Sequence, residues 1–326
     1  MKALSWYYER LHFAFWRRWY LKTSRERVLI LCLHRITDRP VWEELYNMHP
    51  GDLDSLLGGL KKEGFSFVTL DQAFSREKLP PKALCVTCDD GFADNLLEGA
   101  PVFRKHQVPY AVFVPTGFAF RRQVSLESMW EFMRTHADWK SPVISEENKK
   151  QNLTSAMEQA ILPARNEPTL DGILEAKQAF MELNRTDLRK EMDSLYLSAA
   201  QVRELAEDPL WTIGSHGEHH APLRSMNPEQ LKENTLLCRQ RLEELTGKKC
   251  RFMAFPFGGF PDNYLREFKA ADAAGYEGTM MFYAGIASEK IIREGHMVPR
   301  QDLSSLHSPK ENIAFCKKLW KDRENL

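Results

Sequence analysis

Apolar residues along this chain fall mostly in short runs separated by stretches of helical period. Arg27–His34, Ala83–Cys88, Tyr110–Val114, Trp211–Ser215, Phe252–Phe255 and Gly278–Tyr283 are brief and rich in β-branched, aromatic or aliphatic residues. Such runs predict buried strands. Phe65–Leu70 reads the same way. Between them, Asp52–Gly64, Asp94–His106, Asn227–Gly247 and Asp262–Gly275 predict helices, as does the stretch from Pro309 onward. Asn227 is the expected N-cap of its helix, with Pro228 in the first turn and Gly247 just past the end. Strand followed by helix, repeated, predicts a parallel sheet or barrel with covering helices.

Ser125–Leu195 breaks this rhythm. It is long, polar and mostly helical in pattern, and its apolar content is thin for an independent core. It reads as a helical insertion, residues 125–195, between the two parts of the barrel, residues 27–124 and 196–308. Residues 309–326 form a C-terminal helix in this reading.

Residues 1–26 form an aromatic and basic N-terminal helix in the same reading. Trp6, Tyr7, Tyr8, Phe13, Phe15, Trp16, Trp19 and Tyr20 alternate with Arg10, Arg17, Arg18 and Lys22. Two readings stay open: a peripheral membrane contact through residues 6–22, or a helix that packs on the domain. Arg17-Arg18 is not followed by the apolar stretch and small-residue cleavage site of an export signal. The expected location is therefore the cytoplasm, with the inner face of the membrane as the peripheral alternative.

Composition narrows the classes. The 326 residues carry 45 basic and 45 acidic side chains, which argues against a nucleic-acid partner. No apolar run is long enough to span a bilayer. Six scattered cysteines, several in strand-like runs, predict reduced and buried thiols. Cys85 and Cys88 form a C-x-x-C, but three residues apart on a strand they face opposite sides.

Two segments carry chemistry. Thr87-Cys88-Asp89-Asp90-Gly91 ends a strand, where functional groups gather in parallel α/β folds. Ser215-His216-Gly217-Glu218-His219-His220 ends another. A helical turn at that point would place His216 and His220 on one face, with His219 nearby. One carboxylate and two imidazoles can hold a divalent cation, and the second carboxylate can then act as a base. A third strand ends in Pro256-Phe257-Gly258, read by itself as an ordinary turn that could also aim an N–H into a cleft.

Together these segments resemble the polysaccharide deacetylases, carbohydrate esterases with a NodB-like homology domain. Thr87–Gly91 matches their T-F-D-D-G motif, His216–His220 their H-[ST]-x-x-H, and Pro256–Gly258 their P-[YF]-G. Leu33-His34-Arg35 and Val298-Pro299-Arg300 agree in order and rough spacing, so the resemblance spans roughly residues 27–303. It implies a distorted (β/α) barrel of about seven parallel strands with a helical insertion. It implies Asp89 as catalytic base, Asp90, His216 and His220 as metal ligands, and the Phe257 N–H as oxyanion donor. The metal would be divalent, zinc by default, with cobalt, nickel or iron able to use the same ligands.

The implied reaction is hydrolysis of an N-acetyl or similar acyl group on an amino sugar, in a glycan or a lipid-linked precursor. Departures from the motifs are specific. Cys88 stands for Phe, Gly217 for Ser or Thr, and Ala254 for an Arg that orients the base; Arg300 is the candidate replacement. The late histidine motif that supplies a general acid has no clean match, which leaves His34 and His307, with His34 preferred because it ends a strand. Alternatives are a catalytically decayed carbohydrate-binding protein, an O-acetyl esterase, or a deformylase on a related sugar.

Overall fold

The computed structural model describes residues 27–321, apart from 42–43, 76, 122, 126–127, 130–131, 133–168, 259–263 and 284. The aromatic N-terminal stretch and the middle of the insertion lie outside the described residues.

In chain order the described elements begin with β1 (Arg27–Leu33), α1 (Pro50–Lys62), β2 (Ser66–Phe67), α2 (Leu70–Ala73), β3 (Ala83–Cys88) and α3 (Ala100–His106). There follow β4 (Tyr110–Val114), α4 (Thr116–Ala119), α5 (Leu170–Leu195), α6 (Ala199–Ala206), β5 (Trp211–Ser215) and α7 (Pro228–Thr246). The last are β6 (Phe252–Ala254), α8 (Leu265–Ala273), β7 (Gly278–Met280), β8 (Ala287–Ser288), α9 (Glu289–Glu294), β9 (Gln301–Asp302) and α10 (Pro309–Lys321).

The strands form one curled sheet in the order β7-β6-β5-β4-β3-β1-β8, with β2 on β3 and β9 on β1. This is the distorted (β/α) barrel that the resemblance implied. Among the described residues the sheet has nine strands rather than about seven, three of them, β2, β8 and β9, being two-residue pieces. β8 pairs antiparallel with β1, whereas the other pairs are parallel.

Residues 298–302 bring the two ends of the sheet together. On one side the Val298 N–H donates to the Thr279 carbonyl, the Val298 carbonyl accepts from the Met281 N–H, and the Arg300 N–H donates to the Tyr283 carbonyl. On the other, β9 pairs with Leu31 and Cys32 of β1. Arg300 thus sits in the segment that joins both sheet ends.

Side-chain parity divides the core in two. Leu29, Leu31, Leu33, Leu84, Val86, Val112, Ile213 and Met253 pack with Leu53, Leu57, Phe103, Leu205 and Leu242 of the helices. Val28, Ile30, Ala83, Cys85, Ala111, Phe113, Phe252, Ala254, Met280 and Val298 form the second cluster, inside the curl. Every residue of β3 and β4 is buried, as expected of parallel strands covered on both faces. Cys85 and Cys88 fall in different clusters, and all six cysteines are free and buried.

Local signals explain most helix ends. Asn227 caps α7 through a reciprocal capping box with Gln230, and Gly247 closes it in the left-handed conformation. Three expectations need correction. Only Ser66–Phe67 of the Phe65–Leu70 run is strand; Thr69 then caps α2 with Gln72. The Asp94–His106 helix is a π turn at Asn95–Gly99 followed by α3. The strand read over Gly278–Tyr283 stops at Met280. Within the stretch read from sequence as a helical insertion, Leu170–Leu195 is helical, with a non-helical residue at Asn184, whose side-chain amide donates to the Phe180 carbonyl.

Candidate active site

The period of a strand decides which residues reach the interior. Thr87 and Asp89 continue the inward parity of Ala83 and Cys85, and His34 continues that of Val28 and Ile30. Arg300 and Asp302 continue that of Val298. Asp90 would face outward by the same rule, but its φ of +69° turns the chain, and Gly91 follows at +62°. Three site residues, Asp90, His220 (+45°) and Phe257 (+56°), are among the seven described non-glycine residues with positive φ. Strain of this kind concentrates where surrounding structure over-determines a side chain's direction.

These turns bring Asp90, His216 and His220 together. Asp90 Oδ1 lies 3.2 Å from His216 Nε2 and 2.9 Å from His220 Nε2. One ligand atom from each residue falls within 4.8 Å of the other two. His216 Nδ1 is 2.9 Å from the Ala254 carbonyl. A carbonyl partner takes the proton on Nδ1, so Nε2, on the Asp90 side, is the ring atom available to a cation. Two imidazole nitrogens and a carboxylate so arranged fit a divalent cation, with the Ala254 carbonyl as the outer support such ligands use.

Burial pushes the Asp90 carboxyl up, but His220 and His216 outweigh it and hold it well below the ordinary carboxylate range. The convergence does not use a helical turn. Residues 216–220 form a loop, and Gly217 and His220 both have positive φ. His219 lies outside the cluster, with Nδ1 at 2.6 Å from Gln123 Nε2.

Asp89 is the second carboxylate. Both its oxygens accept from Arg300, Nη1 to Oδ1 and Nη2 to Oδ2, each at 2.6 Å. Arg300 Nη1 is also 3.3 Å from Thr87 Oγ1, and Nε donates to the Met281 carbonyl at 3.3 Å. The guanidinium is fully buried. Burial pushes the Asp89 carboxyl up, yet Arg300 and His216 reverse that, so it lies below its ordinary value. Ala254, where the family motif has Arg, is buried on the inner parity of β6, and the guanidinium reaches Asp89 from residue 300 instead.

His34 lies beside this pair. Its ring is 4.9 Å from Tyr46 and 5.7 Å from Phe282, and its Nδ1 is 3.8 Å from Asp302 Oδ1. Burial lowers the His34 imidazole, against the opposing pull of Asp90 and Asp89. His307, the other histidine considered, is exposed ahead of α10. Phe257 is 44% exposed, with its ring 5.0 Å from that of His220.

Asp302 was not singled out from sequence. The signal was available: it lies two residues after Arg300 on the inner parity, but only if residues 298–302 are recognised as an extended segment. Its carboxyl is pushed up to about 7 by burial and by Asp89. An unfolded chain sheds that proton near its ordinary value of 3.8. The folded state therefore gains stability from the retained proton below about pH 4 and loses it as the pH climbs through about 7. Asp302→Asn removes the penalty, which is worth a few kcal/mol at alkaline pH. The expected result in cation-free buffer is a melting temperature several degrees above the parent at pH 8 and equal to it at pH 4. A gain that does not depend on pH would contradict this account.

A curled parallel sheet that gathers two carboxylates, two imidazoles and a buried arginine at its strand ends defines a hydrolase-type site on a distorted (β/α) barrel. Comparison with known proteins carries this further. The polysaccharide deacetylase family model matches residues 170–278, about a third of the chain, which includes the second and third motifs.

Solved structures share the fold. One is the Streptococcus pyogenes deacetylase PplD in complex with acetate, at 15% identity and TM-score 0.59, covering 90% of this chain and 98% of that one. IcaB from Ammonifex degensii gives 18% identity and TM-score 0.58, covering 90% of this chain and 98% of that one. BC0361, a polysaccharide deacetylase from Bacillus cereus, gives 14% and 0.58, covering 89% of this chain and 69% of that one. Among curated proteins, none matches significantly.

Proposed function

We propose that this chain hydrolyses the N-acetyl group of an amino sugar within a glycan, with a divalent cation held by Asp90, His216 and His220. The observation that carries this reading is the meeting of those three side chains beside a carboxylate, Asp89, that Arg300 holds in place. The match of residues 170–278 to the polysaccharide deacetylase family model and the shared fold support it.

A bound cation, zinc by default for this donor set, would polarise the acetamide carbonyl and acidify water. The protein's own groups do the rest. Arg300 keeps Asp89 ionised and fixes its plane, leaving the carboxylate's remaining lone pairs to take a proton from the attacking water. The Phe257 backbone N–H, in its left-handed turn, is the proposed donor to the developing oxyanion. His34, with Asp302 beside it, is the proposed proton donor to the departing amine.

The finer substrate, a lipid-linked precursor met at the inner face of a membrane, rests on the composition of residues 6–22 alone. Among the described residues no helix is long and apolar enough to cross a membrane.

The test is acetate release from N-acetylglucosamine oligomers. The expected result is steady release that a chelator stops and added zinc restores. Release from O-acetylated or N-formylated sugars with none from N-acetylated ones would replace the reading by an esterase or a deformylase. Binding without release from any of them would indicate a carbohydrate-binding protein.

A further inference from the structure

Residues 216–220 belong to no helix or strand, and two of them sit at positive φ, so neighbouring elements hold their shape: the His216 N–H donates to the Val114 carbonyl of β4, and the Gly217 and Glu218 carbonyls accept from the Thr116 and Gly117 N–H groups of α4. The side chain between the two histidines, Glu218, is buried. It accepts from Thr116 Oγ1 on α4 and from Arg241 Nη1 on α7. A buried carboxylate needs such partners, and here they tie the loop to two helices.

Asn234 of α7 adds a backbone clamp. Its Oδ1 accepts from Glu218 N–H at 2.9 Å and His219 N–H at 3.2 Å. Asn234 also crowds Gly217: a Cβ there would lie 2.9 Å from Asn234 Nδ2, and φ is +72°. The position where the family motif has Ser or Thr is thus taken up by a side chain from α7.

The insertion supplies the remaining grip. Lys177 of α5 is buried and donates from Nζ to the His219 carbonyl at 2.9 Å. Its ammonium lies 5.8 Å from the Phe118 ring centre, and that ring is 5.5 Å from the His220 ring. A buried lysine is costly unless it is paired, and this one meets the loop between the two candidate ligands.

We propose that Lys177 and Glu218 are positioning residues for the cation site, so that the helical insertion, through Lys177, sets the shape of the loop presenting His216 and His220. This rests on the reading of Asp90, His216 and His220 as the cation's ligands. Cation affinity then depends on a helix outside the barrel as well as on the ligands themselves.

Zinc affinity, measured on the full chain by competition with a chromogenic chelator, tests this without reference to turnover. Lys177→Met and Glu218→Gln are each expected to bind zinc about 10- to 100-fold more weakly than the parent, the range for lost outer-shell partners. Gln178→Ala, on the exposed side of the same helix, is expected to match the parent. Circular dichroism and melting of the zinc-free proteins establish that a loss of affinity is not a loss of fold. Should Lys177→Met not fold, Glu218→Gln decides the matter alone. A parent that binds no zinc overturns the ligand reading and this proposal with it. A parent that binds, beside folded variants within twofold of it, overturns the positioning role and leaves the ligand reading standing.

Discussion

Asp89→Asn is expected to keep the cation and to lose turnover by about 10²- to 10⁴-fold, the usual worth of a positioned general base. The cluster of Asp90, His216 and His220 does not include Asp89, whose nearer oxygen is 3.9 Å from His216 Nε2. Asparagine retains one acceptor for Arg300 but has no oxygen that can take a proton at neutral pH. It also turns an amide donor toward the guanidinium, so melting curves must accompany the kinetics. His216→Ala is the contrast: it is expected to lose the cation, because it deletes an Nε2 3.2 Å from Asp90. Elemental analysis of both variants, with acetate release, separates the roles. A parent-like rate in Asp89→Asn would remove Asp89 as the base; parent-like cation content in His216→Ala would remove that ligand.

Arg300→Met carries the largest expected cost in stability, about 3–5 kcal/mol, because it leaves a buried carboxylate without its counter-charge. In the parent, Asp89 lies below its ordinary value, so its contribution is present above that value and lost as the pH falls through the folded one. Without the guanidinium, burial dominates and the carboxyl moves up. The variant is then relieved at low pH, where Asp89 can hold a proton, and suffers most at high pH. The gap in stability between parent and variant should widen from pH 4 to pH 8. Adding Asp89→Asn to Arg300→Met should recover part of the loss, since the uncompensated charge is gone. Urea unfolding at the two pH values would show both effects. A gap that is constant with pH, and unrelieved in the double variant, would mean that the loss is packing against Phe113, whose ring centre lies 5.5 Å from the guanidinium carbon.

These two residues mark where reading along the chain succeeds and where it stops. Ala83–Cys88, Tyr110–Val114 and Trp211–Ser215 are legible as strands to the residue, because continuous apolar runs bounded by polar turns have few other uses. The same period places Asp89 and His216 at strand ends. Shorter pieces such as β8 and β9 carry no such signal. Two residues cannot show a period, and their pairing with β1 is set by the closing of the sheet.

The motifs themselves, with the acids, the histidines and the strands that present them, were determined by the sequence, because strand parity and strand-end placement are local consequences of residue order. Tertiary structure alone decided which groups meet. Arg300 reaches Asp89 across 211 positions of chain because residues 298–302 join both ends of the sheet. His216 and His220 converge through a strained loop held by Lys177, Glu218 and Asn234, not through a helical turn. Those outcomes depend on contacts between distant segments and on backbone angles that only the packed molecule enforces, and no local pattern of residues encodes them.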